Sequence, residues 1–118
     1  LDDTRVLTGS EISALQTSIA GMNSTIDALA PAGWARFDAH AFFNEVVEQG
    51  VQFDDYVMTG DLVFGGFFSL DGIHPTARGN ALLSNKIMEA IDATYGSNLS
   101  DAAAVAGDYP TNYPATMN

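Results

Sequence analysis

The feature that most constrains this chain is a stripe of large apolar residues near its N-terminus. Six of them recur at alternating spacings of 3 and 4, which is typical of one face of an amphipathic α-helix. The preceding "TGSE", Thr8 to Glu11, matches a capping box, and Pro31 and Gly33 follow, so we predict a helix over residues 9–30. Burying each apolar side chain is worth roughly 1.5–3 kcal/mol, so we expect the stripe to pack against another surface. The stripe consists of Ile12, Leu15, Ile19, Met22, Ile26 and Leu29.

The next segments predict one strand and a second helix. "WARFD", Trp34 to Asp38, is short, aromatic and preceded by a turn, which favours a strand. "AHAFFNEVVEQG" then predicts a short helix that ends at Gly50. Asp38, at the junction, is interpreted as the cap of this helix rather than as a site residue. The side chains expected to face the interior are Ala41, Phe42, Val46 and Val47.

The rest of the chain predicts a third helix and a tail. Residues 51–70 have no clean period and are interpreted as a loop with one or two short extended pieces. A helix is predicted from Pro75 or Thr76 to Gly96. The tail, "SNLSDAAAVAGDYPTNYPATMN" at residues 97–118, is small and polar and contains proline, and we expect it to wrap the surface or to be loosely ordered. The expected buried stripe of the third helix is Leu83, Ile87, Ile91 and Tyr95, with Ala90 and Thr94 beside it.

Three helices and one strand do not complete an α/β domain. Such a domain needs a sheet of several strands to cover its helix faces. The chain has 118 residues, which is enough for one domain. We therefore expect the α/β class, helix-rich with few strands, with residues 1–100 as the C-terminal half of a domain and residues 101–118 as its tail.

The composition argues against several classes of function. Asp and Glu number 15 against 4 Lys and Arg, a net charge of −11, which argues against binding nucleic acid or anionic membrane surfaces. The chain has no cysteine, so it has no disulfide, thiolate nucleophile or cysteine-ligated metal. No apolar run approaches the ~18 residues of a membrane helix. With 2 histidines and no HExxH spacing, we predict no metal site and no cofactor.

Asp71 and His74, in "LDGIHPT", are the residues that point to chemistry. Imidazole can act as a general base near neutral pH because its unperturbed pKa is about 6.5. A carboxylate three residues earlier, in a turn tightened by Gly72, can reach Nδ1 and fix the tautomer, while Pro75 stiffens the loop. The plainer interpretation is a capped turn with a solvated histidine. His40, in the first turn of a predicted helix, is interpreted as an ordinary surface or half-buried residue.

A resemblance favours the catalytic interpretation. The block "GGFFSLDGIHPTARGNALLSNKIMEAIDATYG", residues 65–96, resembles the C-terminal block of the SGNH, or GDSL-type, lipase and esterase family, and in particular a bacterial branch. The upstream segments also fit, so the resemblance extends over roughly residues 5–100. It implies a three-layer α/β/α flavodoxin-like fold and a Ser-His-Asp hydrolase. In that enzyme His74 would be the general base and Asp71 its orienting partner.

The chain departs from the family in lacking a nucleophile motif. The family's serine lies in a Gly-Asp-Ser motif near the N-terminus of the full domain, and an oxyanion-hole Gly and Asn lie in two later blocks. None of these occurs here, and "TGDL", Thr59 to Leu62, has leucine where the serine would stand. The resemblance therefore implies that the N-terminal half of the same protein supplies the serine and the oxyanion hole.

Three functional hypotheses follow. The preferred one is the C-terminal segment of a secreted or periplasmic/cell-surface serine ester hydrolase, acting on an ester of a lipid, an acetylated sugar or a small acyl compound. The second is a catalytically silent hydrolase-derived module that forms a homo-oligomer or binds a partner. The third is a self-sufficient hydrolase that uses Ser69 or another serine, although Ser69 has no evident oxyanion donors.

Overall fold

The computed structural model describes residues 6–112, which form a helix-rich mixed α/β chain. The helices are α1 (Gly9–Leu29), α2 (Ala39–Glu48) and α3 (Ala77–Tyr95), and the strands are β1 (Val51–Phe53) and β2 (Tyr56–Met58). Two short 3₁₀ turns follow, Leu99–Ala102 and Ala106–Asp108. The α/β class is confirmed at this coarse level. The chain divides into two compact units, Leu1–Trp34 and Ala35–Asn118.

The first unit contains α1, whose start is the one that the sequence predicts. The Thr8 hydroxyl accepts from the Glu11 N–H at 3.3 Å, and the Glu11 carboxylate accepts from the Thr8 N–H at 2.8 Å, so the capping box is confirmed. None of the residues of α1 is buried, and Ile19 and Ile26 are 41% and 63% exposed. Within the first unit, as far as the structure describes it, no second helix or strand covers this apolar stripe.

The strand predicted for Trp34 to Asp38 is wrong. These residues lie in neither a strand nor a helix. A strand needs a neighbouring strand for its backbone hydrogen bonds, and the sheet that the described residues form contains only β1 and β2. Asp38 is confirmed as the cap of α2, because its side chain accepts from the Ala41 N–H at 2.9 Å.

Helix α2 buries a narrower face than the sequence predicts. Phe42 and Val46 are buried and lie four residues apart, which puts them on one side of the helix. Ala41 and Val47 are exposed, so the prediction that they face the interior is wrong. Successive residues are rotated by about 100° around a helix, which turns both of these side chains away from the core. Gly50 follows with a φ of +74° and ends the helix as predicted.

The irregular segment after α2 begins with a small antiparallel hairpin, which confirms the predicted short extended pieces. Strands β1 and β2 pair Val51 with Met58, and both side chains are buried. Asp54, in the turn, has a φ of +52°, a conformation that aspartate adopts more readily than most residues. Its carboxylate accepts from the Ala106 N–H at 2.7 Å and so holds the chain that follows α3.

Helix α3 has the predicted ends but a different buried face. Thr76 caps its start by accepting from the Gly79 N–H at 3.0 Å, and Gly96 ends it with a φ of +64°. The predicted stripe is confirmed only in part, since Leu83 packs against the core but Ile87 and Tyr95 are 39% and 58% exposed. The core lies against the first half of the helix, so the buried residues come from its N-terminal turns. They are Arg78, Gly79, Ala81, Leu82 and Asn85.

Residues 97–112, which we call the C-terminal strap, are fastened to the second unit. The Asn85 side-chain amide exchanges two hydrogen bonds with the backbone of Ala104, at 2.9 and 2.8 Å. The buried Arg78 donates from Nε to the Tyr109 carbonyl at 3.0 Å. The strap therefore wraps the surface of the second unit, which was the first of the two arrangements expected for the tail. Residues 113–118 of the predicted tail lie outside the described residues.

An aromatic cluster forms the centre of the second unit. The Phe67 ring is fully buried and meets the rings of Phe42, Phe43 and Phe68 at steep angles, with centroids 5.9, 5.4 and 4.9 Å away. The ring quadrupoles favour this edge-to-face arrangement. Because Phe67 precedes the segment with Asp71 and His74, the core fixes one end of that segment.

We expect Phe67→Ala to lower the free energy of unfolding by about 3–5 kcal/mol, because it leaves a cavity at the centre of the aromatic cluster. Phe64→Ala is the matched control. The Phe64 ring is 69% exposed, and its removal should change stability by about 0.5 kcal/mol or less. Urea denaturation followed by circular dichroism measures both. Equal losses for the two variants would contradict this assignment of the core.

Candidate active site

A short closed loop presents Asp71 and His74. Its two arms pair through an isolated antiparallel bridge. The Ser69 N–H donates to the His74 carbonyl at 2.7 Å. Gly72 has a φ of +68°, and its N–H donates to the Ser69 carbonyl at 3.0 Å, which makes the tight turn possible. The backbone therefore brings the aspartate and the histidine together.

The base of the loop is fastened to both α3 and the core. The Thr76 N–H donates to the Phe67 carbonyl at 2.7 Å, and the Thr76 hydroxyl donates to the Gly66 carbonyl at 2.6 Å. The same hydroxyl oxygen accepts the capping bond from Gly79. A side chain at Gly79 would collide with the Phe67 carbonyl oxygen, so the helix approaches this closely only with glycine there. Loop, helix start and core share one hydrogen-bonded junction.

Asp71 uses both of its carboxylate oxygens. Oδ2 lies 2.6 Å from His74 Nδ1. Oδ1 accepts from the Ser69 hydroxyl at 2.7 Å and from the backbone N–H groups of Ile73 and His74, each at 2.9 Å. Because an ionised carboxylate can only accept, the proton of this contact is on Nδ1. In the neutral imidazole, Nε2 then carries the free lone pair that a general base needs.

These contacts hold the pKa of Asp71 well below its ordinary value. The hydrogen bond with His74 contributes most, followed by the N–H groups of Ile73 and His74 and by the Ser69 hydroxyl. Hydrogen bonds to the charged form of an acid favour ionisation. Asp71 is therefore a carboxylate at neutral pH and can stabilise a positive charge on His74.

The imidazole of His74 faces solvent. Its side chain is 79% exposed, against 48% for Asp71. Within residues 6–112, no protein group hydrogen-bonds to Nε2. A reacting group can therefore reach this nitrogen directly. The attraction between the Asp71 carboxylate and a positively charged His74 is weak in bulk water. Efficient catalysis therefore requires a second surface that covers the His74 ring and excludes water.

Ser69 is placed to hold Asp71 and not to act as a nucleophile. Its hydroxyl donates to Asp71 Oδ1, the oxygen that the His74 ring does not contact. In the part of the chain that the structure describes, no serine hydroxyl hydrogen-bonds to the imidazole. Other serines donate to helix carbonyls or to Asp92: Ser13, Ser18, Ser97 and Ser100.

His40 differs from His74 in its surroundings. It lies exposed at the start of α2, as interpreted from the sequence, with its Nε2 3.5 Å from the Asn44 side-chain amide.

The described residues contain no group of three His, Cys, Asp or Glu side chains that could hold a metal ion. Nor do residues 6–112 include a helix that is long and apolar enough to span a membrane.

Two residues that support the loop were not predicted from the sequence. Asn112 donates from Nδ2 to the Phe68 carbonyl at 2.7 Å. Arg78, 3% exposed, donates from Nε to the Tyr109 carbonyl. The first contact joins the C-terminal strap to one arm of the loop, and the second joins the strap to the first turn of α3, directly after the loop. The partners lie 44 and 31 residues apart in the chain, and no local pattern signals such pairs.

No protein-family model, curated protein or solved structure matches this chain. The geometry of the loop and the sequence pattern are therefore what bears on function. The distinguishing property of the loop is a solvent-facing histidine whose tautomer is fixed by a carboxylate, and that carboxylate is itself held by three further donors.

The depressed pKa of Asp71 predicts that the loop resists acid. The folded state favours the carboxylate, so its stabilising effect is present above the ordinary Asp pKa and is lost only as the pH falls through the lower, folded value. We expect the Asp71 carboxyl ¹³C resonance to remain in its ionised position below about pH 3.5. Ser69→Ala removes the hydroxyl that donates to Asp71 Oδ1, so it should raise the pH at which half of the Asp71 carboxyl groups are protonated. An ordinary midpoint in the unmodified chain, or none of this shift in Ser69→Ala, would contradict these hydrogen bonds.

Proposed function

We propose that this chain supplies the histidine and the aspartate of a serine ester hydrolase of the SGNH, or GDSL, type. His74 is its general base and Asp71 its orienting partner. The observation that carries the proposal is the 2.6 Å contact between Asp71 Oδ2 and His74 Nδ1, made in a rigid loop whose histidine faces solvent. The nucleophilic serine and the oxyanion hole come from the N-terminal half of the same protein.

The proposed reaction is acyl transfer through that serine. His74 Nε2 takes the hydroxyl proton as the serine oxygen attacks the ester carbonyl, and the ring becomes an imidazolium. Asp71 stabilises this cation through the Nδ1–H bond and does not take the proton itself. The imidazolium then protonates the leaving alkoxide. Water, deprotonated by the same nitrogen, hydrolyses the acyl-enzyme and restores the serine.

The proposed fold of the complete domain is a three-layer α/β/α sandwich of the flavodoxin-like type. Residues 1–100 would form its C-terminal half and residues 101–118 its tail. Two uncovered apolar surfaces support this proposal: the stripe on α1, and on α3 the side chains of Ile87 and Tyr95. A sheet with helices on both sides covers surfaces of this kind. The site would then lie at the carboxyl edge of the sheet, where open α/β sheets bind ligands.

The proposed substrate is an ester of a lipid, an acetylated sugar or a small acyl compound, and the proposed location is secreted or periplasmic/cell-surface. The resemblance to a bacterial branch of the family supports both. The net charge of −11 also disfavours substrates with a strong negative charge.

A catalytically silent module is the second candidate. The observation that favours it is the exposed stripe of α1, since apolar side chains repeating at 3 and 4 along a helix also suit contact with another helix. Such a module would use this stripe for self-association or for binding a partner, and its His74 would have no chemical role.

The test is fluorophosphonate labelling of the protein that carries this chain, read by intact mass and peptide mapping. The probe reacts with an activated serine. We expect the label on a serine outside residues 1–118. His74→Ala should abolish labelling, because triad removal costs roughly 10⁴–10⁶ in rate.

His40→Ala is the matched control for this experiment. His40 is exposed but contacts Asn44 rather than a carboxylate, so its removal should leave labelling unchanged. A label on a serine within the 118 residues would overturn the proposed origin of the nucleophile. An unlabelled protein, with no ester hydrolysis in any form, would favour the silent module.

Asp71→Asn should lower kcat by about 10⁴-fold while it leaves the fold intact. An amide at this position offers Nδ1 no charged acceptor, so the histidine loses its fixed tautomer and the imidazolium loses its stabilising charge. Steady-state hydrolysis of p-nitrophenyl acetate and circular dichroism measure the two properties. A change of less than tenfold would show that Asp71 only caps the turn.

A further inference from the structure

The end of the C-terminal strap lies against both ends of the loop that carries His74. The Arg78 N–H donates to the Pro110 carbonyl at 3.1 Å, and Arg78 Nε donates to the Tyr109 carbonyl at 3.0 Å. These bonds hold the strap at the first turn of α3, directly after the loop. Asn112 follows two residues later and donates from Nδ2 to the Phe68 carbonyl at 2.7 Å, on the arm where the loop begins. The strap therefore bridges the entry and the exit of the loop.

The Phe68 carbonyl takes no part in the pairing of the two arms. The arms meet at an antiparallel bridge between Phe68 and Pro75, and the hydrogen bonds beside it come from the residues that flank these two. In such a pair the N–H and carbonyl of the bridging residue point away from the partner arm. Asn112 thus reaches the first arm from its outer side, so this arm is held by the return arm on one edge and by the strap on the other.

The bond from Asn112 differs in kind from the bonds within the loop. The donors to Asp71 come from Ser69, Ile73 and His74, so the pairing of aspartate with histidine is made by the loop itself. The bond to Phe68 instead spans 44 residues and joins the loop to the rest of the second unit. Its loss would change the orientation of the whole loop rather than the pairing inside it.

We propose that Asn112 is a positioning residue, whose bond to the Phe68 carbonyl fixes the orientation of the loop on the core and thus the direction of His74 Nε2. The chemical consequence rests on the proposed function, in which a serine elsewhere in the protein must meet Nε2. A misplacement of about 1 Å, even from a change far from the chemistry, costs about 100-fold in rate. Asn112 touches no reacting atom in this scheme and acts only through the loop.

The orientation of the loop can be measured without catalysis, by ¹⁵N relaxation on the protein that carries this chain. Asn112→Asp keeps the shape of the side chain, but at neutral pH its carboxylate only accepts and cannot donate to the Phe68 carbonyl. We expect the backbone order parameters of residues 69–74 to fall from about 0.85 toward 0.6. Asn112→Ala, which loses the same donor without adding a charge, should have the same effect and leave the titration of the Asp71 carboxyl unchanged.

Ser100→Ala is the matched control, since it loosens the other end of the strap. The Ser100 hydroxyl donates to Asp92 at 2.6 Å, and its removal should leave the order of residues 69–74 unchanged. A contact that only stabilises the fold would lower the free energy of unfolding without changing order in the folded state. Unchanged order in the Asn112 variants, or an equal loss in Ser100→Ala, would therefore overturn the proposal.

Kinetics on the protein that carries the nucleophile are the second measurement. Asn112→Asp should lower kcat for p-nitrophenyl acetate by about 100-fold and change KM by less than about threefold, because the loop positions the base and does not bind the ester. Ser100→Ala should change neither. A mobile loop with an unchanged kcat would overturn the positioning role. If the loop becomes mobile but no serine is labelled in the unmodified protein, the hold of Asn112 on the loop stands and the hydrolase assignment fails.

Discussion

The 2.7 Å hydrogen bond from the Thr76 N–H to the Phe67 carbonyl closes the loop that carries Asp71 and His74. One of its partners belongs to the most buried ring of the second unit, and the other caps α3. The close approach depends on Gly79, where any side chain would strike the same carbonyl oxygen. Because core, loop and helix meet at this bond, the position of His74 depends on packing more than on its own contacts.

The sequence was most informative where a feature depends on nearby residues. The caps at Thr8 and Asp38, the start of α3 beside Thr76 and the glycine ends at Gly50 and Gly96 were all predicted, since each requires only neighbours within one helical turn. The pairing of Asp71 with His74 was predicted for the same reason.

Features that depend on distant partners were predicted less well. Trp34 to Asp38 has strand-like composition, but no neighbouring strand pairs with it among the described residues. Helix α3 has an apolar stripe that periodicity detects, yet the core contacts a different face, which includes Arg78. Arginine side chains are mostly exposed in proteins, but the buried Arg78 side chain donates from Nε to the Tyr109 carbonyl and its guanidinium lies over the Tyr56 ring.

The hydrogen bonds of the loop and those of the C-terminal strap differ in how far apart their partners lie along the chain. Asp71 draws all its donors from residues two or three positions away, whereas the strap contacts of Ala106 and Asn112 span 52 and 44 residues. Closing a short loop costs little chain entropy, whereas each contact of the strap must close a long one. The pairing of base and acid is therefore encoded within one short stretch, Ser69 to His74, while the place of that pair in the molecule is set by the core and by distant parts of the chain.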